Sequence, residues 1–84
     1  MNVKIIKPDA TLYEGEAKLV QLPGIDGLFE ILNNHAPIIS ALQKGKIRIV
    51  DNNDQTLYFD IIAGVVKSEK NTVLLLVQEH PIQR

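Results

Sequence analysis

The sequence predicts an all-β domain, and three observations predict it. Ile and Val together outnumber Leu and Ala, 18 to 15, and branched side chains suit a pleated strand better than a helix. Turn-forming pairs punctuate the chain and most segments between them run about four to twelve residues, the spacing of a sandwich or barrel, and few gaps between them could hold a full helix. Lys46-Ile47-Arg48-Ile49-Val50 alternates polar and apolar with the period of two that a half-buried strand requires. With 84 residues, the chain is expected to form one domain over residues 1–84.

Each element follows from its boundaries. Val3 to Lys7 is a strand stopped by Pro8-Asp9. Ala17 to Leu22 lies between the turn signals Glu14-Gly15 and Pro23-Gly24. Gly24 and Gly27 are read as turn glycines that use positive φ. Phe29 to Leu32 ends at Asn33-Asn34, and Pro37 keeps Ala36 extended on the way into Ile38 and Ile39. Lys46 to Val50 then pairs with Leu57 to Ile61 across the Asp51–Asp54 turn, where Asn and Asp tolerate left-handed backbone. Ile62 to Lys67 contains Gly64, which implies a bulge or a close backbone approach. Val73 to Val77 is apolar throughout and is expected to be buried on both faces. Residues 78–84 lack pattern and are expected to fray.

Composition excludes several functions. Cysteine is absent, so thiolate zinc sites, disulfides and cysteine nucleophiles are absent with it. The two imidazoles, His35 and His80, have no metal-ligand spacing, so no metal is expected. Ser40 and Ser68 sit in no nucleophile elbow, and nothing forms a nucleophile, base and orienter. No catalytic residue and no cofactor is expected. The formal charge of -1 argues against a nucleic-acid partner, although Lys44, Lys46, Arg48 and Tyr58 form a small stripe that an oligonucleotide barrel could use. No apolar run reaches the roughly 18–20 residues of a membrane span, and no signal peptide opens the chain. The expectation is a soluble, unprocessed protein whose thin core favours a permanent neighbour.

The segment from Leu22 to Pro37 carries the most information. Gly24, Gly27, Phe29, Ile31, Leu32, Asn34, His35, Ala36 and Pro37 fall in an order that resembles the amino-terminal domain of the epsilon subunit of bacterial F-type ATP synthases. Leu42 and Gly45, then Ala63-Gly64-Val65-Val66, then Asn71 to Leu76 continue the resemblance. At the start Val3, Ile5, Pro8, Leu12, Tyr13 and Gly15 fit as well. Leu28 and Glu30 depart from it, since many members carry an acidic residue and a glycine at those places.

The resemblance implies a flattened ten-stranded β-sandwich or barrel at the foot of a rotary stalk. It implies a non-catalytic subunit that links gamma to the polar loops of the membrane rotor ring and couples proton or sodium flow to ATP synthesis. Asp26, Leu28, Glu30 and His35 are the expected ring contacts. Ser40 and Leu42 are the expected gamma contacts. The location implied is the cytoplasmic face of a bacterial membrane, reached only through the complex. The family's carboxy-terminal helical hairpin is not expected, so neither hairpin inhibition nor ATP binding by it is expected. A free-standing ligand-binding or oligonucleotide-binding barrel is the competing reading, and a small hydrolase is a remoter one.

Overall fold

A computed structural model describes residues 1–79. Among them are eight strands and no helix. They are β1 (Asn2–Lys7), β2 (Ala10–Gly24), β3 (Gly27–Leu32), β4 (Ile38–Leu42), β5 (Gly45–Asp51), β6 (Thr56–Ile61), β7 (Ala63–Glu69) and β8 (Thr72–Gln78). The pairing order is β1-β8-β7-β4-β2-β5-β6, with β3 beside β2 and β1 also beside β2. The all-β expectation therefore holds, as a sandwich of eight strands rather than ten.

The strand count falls short because β2 is one strand of 15 residues. Its first half pairs with β1, and its second half pairs with β3 on one side and β5 on the other. Glu14-Gly15, expected as a turn, lies inside it, with Gly15 opposite Val3. The register slips between Ala17 and Leu19 against β5. That slip resets which side chains point inward: Ala17 is buried, and then Val20 and Leu22, three and five positions on.

The core lies between two layers. Val3 and Ile5 of β1, Val73, Leu75 and Val77 of β8, Val66 of β7 and Leu42 of β4 meet Val20, Leu22, Ile31, Ile47, Ile49 and Ile61. The β5 alternation is as expected: Ile47 and Ile49 are fully buried, with Lys46 and Arg48 on the other face. The β8 expectation fails. Leu74 is only half-buried and Leu76 is 50% exposed, so the strand is buried on one face alone. Gln78 also departs from the fraying expected of it. It pairs with Ala63, its carbonyl accepts the Ile62 N–H at 2.9 Å, and Glu79 reaches Lys7 at 3.1 Å. The rest of the expected frayed tail, 80–84, lies outside the described residues.

The turns follow their chemistry. Asp51 Oδ1 accepts the N–H groups of Asn53 and Gln55 at 2.8 and 2.9 Å, and Asp54 adopts φ 63°. Gly27 has φ 126°, as a turn glycine should. Gly24 has no positive φ; it is small because a Cβ there would lie 2.8 Å from the Phe29 ring. Gly64 marks a close approach: its Cβ would stand 2.9 Å from the Leu76 carbonyl oxygen.

Candidate functional site

No described residues form a cluster of three or more metal-ligating side chains, and no helix among them is long and apolar enough to cross a membrane. What the fold offers is surface, and the two outer faces differ.

On the layer built from β1, β8, β7 and β4, residues in register share a face. Ile6, Leu76, Val65 and Ala41 stand opposite one another in sequence across the four strands, all facing out. The next row is Lys4, Leu74, Lys67 and Ile39. Ile39 is 73% exposed and Val65 43%. A shallow groove of about 440 Å³ opens between Ile6, Pro8, Ala63, Val65 and Leu76. This is a continuous apolar strip with lysines beside it, the kind of patch an isolated soluble domain seldom exposes.

The other layer presents the opposite chemistry. Tyr58, Arg48, Gln21 and Glu30 form a row across β6, β5, β2 and β3. Glu30 Oε2 lies 3.5 Å from Arg48 and 3.4 Å from the Gln21 amide, and Lys46 pairs with Asp60 at 2.8 Å. Such exposed pairs add little stability, typically below about 1 kcal/mol. They make the face a solvated one, the arrangement favoured over a nucleic-acid stripe. Lys18 and Asp54 form a further surface pair beside the β5–β6 turn.

The expected ring contacts separate into three places. Asp26 and Leu28 sit at the tip of the β2–β3 hairpin, both exposed, with Ile25 beside them. Glu30 lies mid-strand on the polar face, held by Arg48 and Gln21. His35 lies past the far end of β3. Six residues of strand at about 3.3 Å each put roughly 20 Å between the hairpin tip and His35. The stretch from Gly24 to His35 is thus a strand with a turn at each end, as expected around Phe29 to Leu32, and the four expected contacts do not form one surface.

The expected gamma contacts both point inward from β4. Leu42 is 3% exposed in the core. Ser40 stands opposite buried Val66 and is half-buried, with Oγ 3.3 Å from the Ala41 carbonyl oxygen. The outward residues of that strand are Ile39 and Ala41. Sequence reasoning missed them, and missed Ile6, Val65 and Leu76, because an apolar residue in a strand reads as core. The usable signal was the uninterrupted run in β8, which requires apolar side chains on both faces of one strand.

Over residues 1–80 the sequence matches the family described as the beta-sandwich domain of the ATP synthase Delta/Epsilon chain. An ATP synthase epsilon chain of Chlorobium limicola is 35% identical over 78 residues, spanning 93% of this chain and 89% of the relative. The epsilon chain of Caulobacter vibrioides is 32% identical, spanning 99% and 94%. That of Protochlamydia amoebophila is 32% identical, and there the match spans 98% of this chain but 60% of the relative. A chain from the mitochondrial ATP synthase of Euglena gracilis shares the fold with a TM-score of 0.86 at 13% identity, over 92% of this chain and 49% of that one. A chain in the central stalk and c-ring structure of the Tetrahymena thermophila mitochondrial enzyme does so with a TM-score of 0.77 at 15% identity, over 93% and 63%. Sequence pattern and sandwich architecture agree along nearly the whole described chain, which therefore belongs to the ATP synthase delta/epsilon β-sandwich family.

Proposed function

We propose that this chain is a non-catalytic subunit of the central stalk of a proton- or sodium-translocating F-type ATP synthase, coupling ion flow to ATP synthesis. The observation that carries the reading is the family match over residues 1–80, and the two unlike outer faces support it. A rotor part needs a stiff body and a permanent neighbour rather than reactive groups. A sandwich of short loops and paired strands supplies the stiffness. The apolar strip of Ile6, Leu76, Val65, Ala41 and Ile39 supplies the docking surface for gamma. Area of that kind stabilises an interface at about 25 cal/mol per Å² removed from water.

The hairpin tip, with Asp26 and Leu28, is the surface proposed to meet the polar loops of the membrane ring. Its mixed acidic and apolar character suits a contact that stays partly wet. Glu30 stands too far round the polar face to belong to that contact, and His35 belongs at the opposite end of β3. The subunit reaches the membrane through the complex, on the cytoplasmic face of a bacterial membrane.

Cysteine at Leu28 or Asp26 is expected to cross-link to the ring subunit, and cysteine at Val65 or Leu76 to gamma. Cross-links from Leu28 to head subunits alone would reverse the orientation. A lone chain that never co-purifies with gamma, and that shifts labelled single strands instead, would favour an oligonucleotide-binding sandwich.

A further inference from the structure

Three segments that are remote in sequence meet at one end of the sandwich, and side-chain amides join them. The turn 33–37 leaves β3 in one layer and enters β4 in the other. Its Asn34 adopts φ 63° and donates its N–H to Asn71 Oδ1 at 2.8 Å. Asn71, at φ 58°, forms with Lys70, at φ 51°, the two-residue turn between β7 and β8. Glycine would serve that turn as well, so the Asn71 side chain adds something the chain reversal does not need: an acceptor for the turn opposite. The Asn71 carbonyl also accepts the Asn2 N–H at 3.1 Å. Asn33 Oδ1 accepts from the Met1 amino group at 2.6 Å.

His35 sits on this clamped turn. Its backbone N–H donates to the Leu32 carbonyl at 3.2 Å, and its ring Nδ1 lies 2.7 Å from the Ala36 carbonyl oxygen. A carbonyl oxygen can only accept, so Nδ1 carries the hydrogen. In the neutral ring, Nε2 is then left as an acceptor on an exposed surface.

We propose that Asn71 is a positioning residue. It fixes the turn so that His35 offers Nε2, as a hydrogen-bond acceptor, to a hydroxyl or N–H group of a neighbouring protein subunit. The proposal rests on the stalk reading for the existence of that neighbour. It places the contact at the end of β3 away from the hairpin tip, and so on gamma rather than on the ring.

The test uses the full chain, ¹⁵N-labelled at histidine, with His80→Gln as the control that removes the second ring signal. Nitrogen shifts distinguish the two neutral tautomers. The wild type and Asn71→Asp, which keeps the acceptor, are expected in the Nδ1–H form. Asn71→Gly, which keeps the turn and loses the acceptor, is expected to move toward the Nε2–H form that an unconstrained neutral histidine side chain prefers. Its Asn34 amide should exchange about tenfold faster, the scale of losing one hydrogen bond. In gamma binding, Asn71→Gly should be weaker than wild type and Asn71→Asp should match it. A wild-type Nε2–H tautomer overturns the proposal, and so does an Asn71→Gly variant that behaves as wild type in tautomer or in gamma affinity. A wild-type chain that binds no gamma at all refutes the stalk reading instead, and the tautomer of the free chain still decides the role of Asn71.

Discussion

Leu75 and Leu76 are neighbours in sequence and should differ several-fold in what they contribute to stability. Leu75 is fully buried between the layers, whereas Leu76 is 50% exposed on the outer strip. Leu75→Ala removes the transfer free energy of a core leucine and leaves a cavity that the residues paired beside it, Ile5 and Val66, cannot fill. Losses of that kind run about 3–5 kcal/mol. A domain of this size holds roughly 4–13 kcal/mol in all, at the usual 0.05–0.15 per residue, so the variant should be close to unfolding. Leu76→Ala loses only the buried half of a side chain worth about 1.5–3 kcal/mol, with water filling the space, so about 1 kcal/mol is expected. Urea unfolding followed by far-ultraviolet circular dichroism, at equal m values, reads both; the chain has no tryptophan to serve as a probe. In binding to gamma the order should reverse, with Leu76→Asp abolishing association while the free variant stays folded. Equal destabilisation by Leu75→Ala and Leu76→Ala would refute the reasoning, because it would mean that the outer face is covered within the chain itself.

Gly64→Ala should destabilise by roughly 1–3 kcal/mol, since its Cβ would press on the Leu76 carbonyl at 2.9 Å and force β7 from β8; a neutral result in the same urea experiment would show that the ladder yields. Gly27→Ala has open space around it and should cost about 1–2 kcal/mol from its φ of 126° alone, so restoring the loss with another side chain at that position would contradict the backbone account. The Tyr13 hydroxyl is held above its ordinary pKa by burial first, then by the charges of Asp51 and Glu16. The neutral phenol is thus favoured in the folded state, so its contribution to stability is complete below the unfolded value near 10 and falls as pH rises through the folded value; an ultraviolet difference titration against Tyr13→Phe should show late ionisation, and ionisation at or below the unfolded value would overturn this. Asp54→Asn should change stability by less than about 0.5 kcal/mol, because the pair with Lys18 is exposed, and a larger loss would assign the turn to the core framework.

The fold was legible wherever one strand face was polar. Lys46 and Arg48 against Ile47 and Ile49 declared both the strand and its inward side. Asp51 declared its turn through a side chain that bonds its own backbone. What was hidden depended on partners across the chain. Nothing local to Lys18 announces the slip that turns Ala17 and Val20 to the same side. The apolar run in β8 was read correctly as a strand and wrongly as core, because pattern alone cannot tell a face covered by the chain from a face left for another subunit. For the same reason Leu42 and Ile39 exchanged roles on β4. Asp26 and His35 share one expected contact even though a strand is expected between them at Phe29 to Leu32; that strand runs six residues and sets them at its two ends. The Asn34–Asn71 contact joins two turns 37 positions apart, and no spacing rule reaches that far.

The parallel pairing of β1 with β8 sets the order in which the molecule can be completed. Asn2 to Ile6 lie along Thr72 to Leu76, so β1, the first of the described strands, is partnered on one edge by β8, the last of them. On the ribosome β1 can join β2 early, but its other edge must wait while the intervening chain is synthesised, roughly 4–14 s at 5–20 residues per second. During that interval Val3 and Ile5 lack their lateral neighbours Val73 and Leu75, and an open strand edge is a template for any extended peptide nearby. Contacts so distant in sequence also slow closure once the chain is free. Docking into the proposed stalk would therefore have a natural checkpoint: the outer strip to which gamma is proposed to bind, with Leu76 facing Ile6 on one side and Val65 on the other, does not exist until β8 has been inserted.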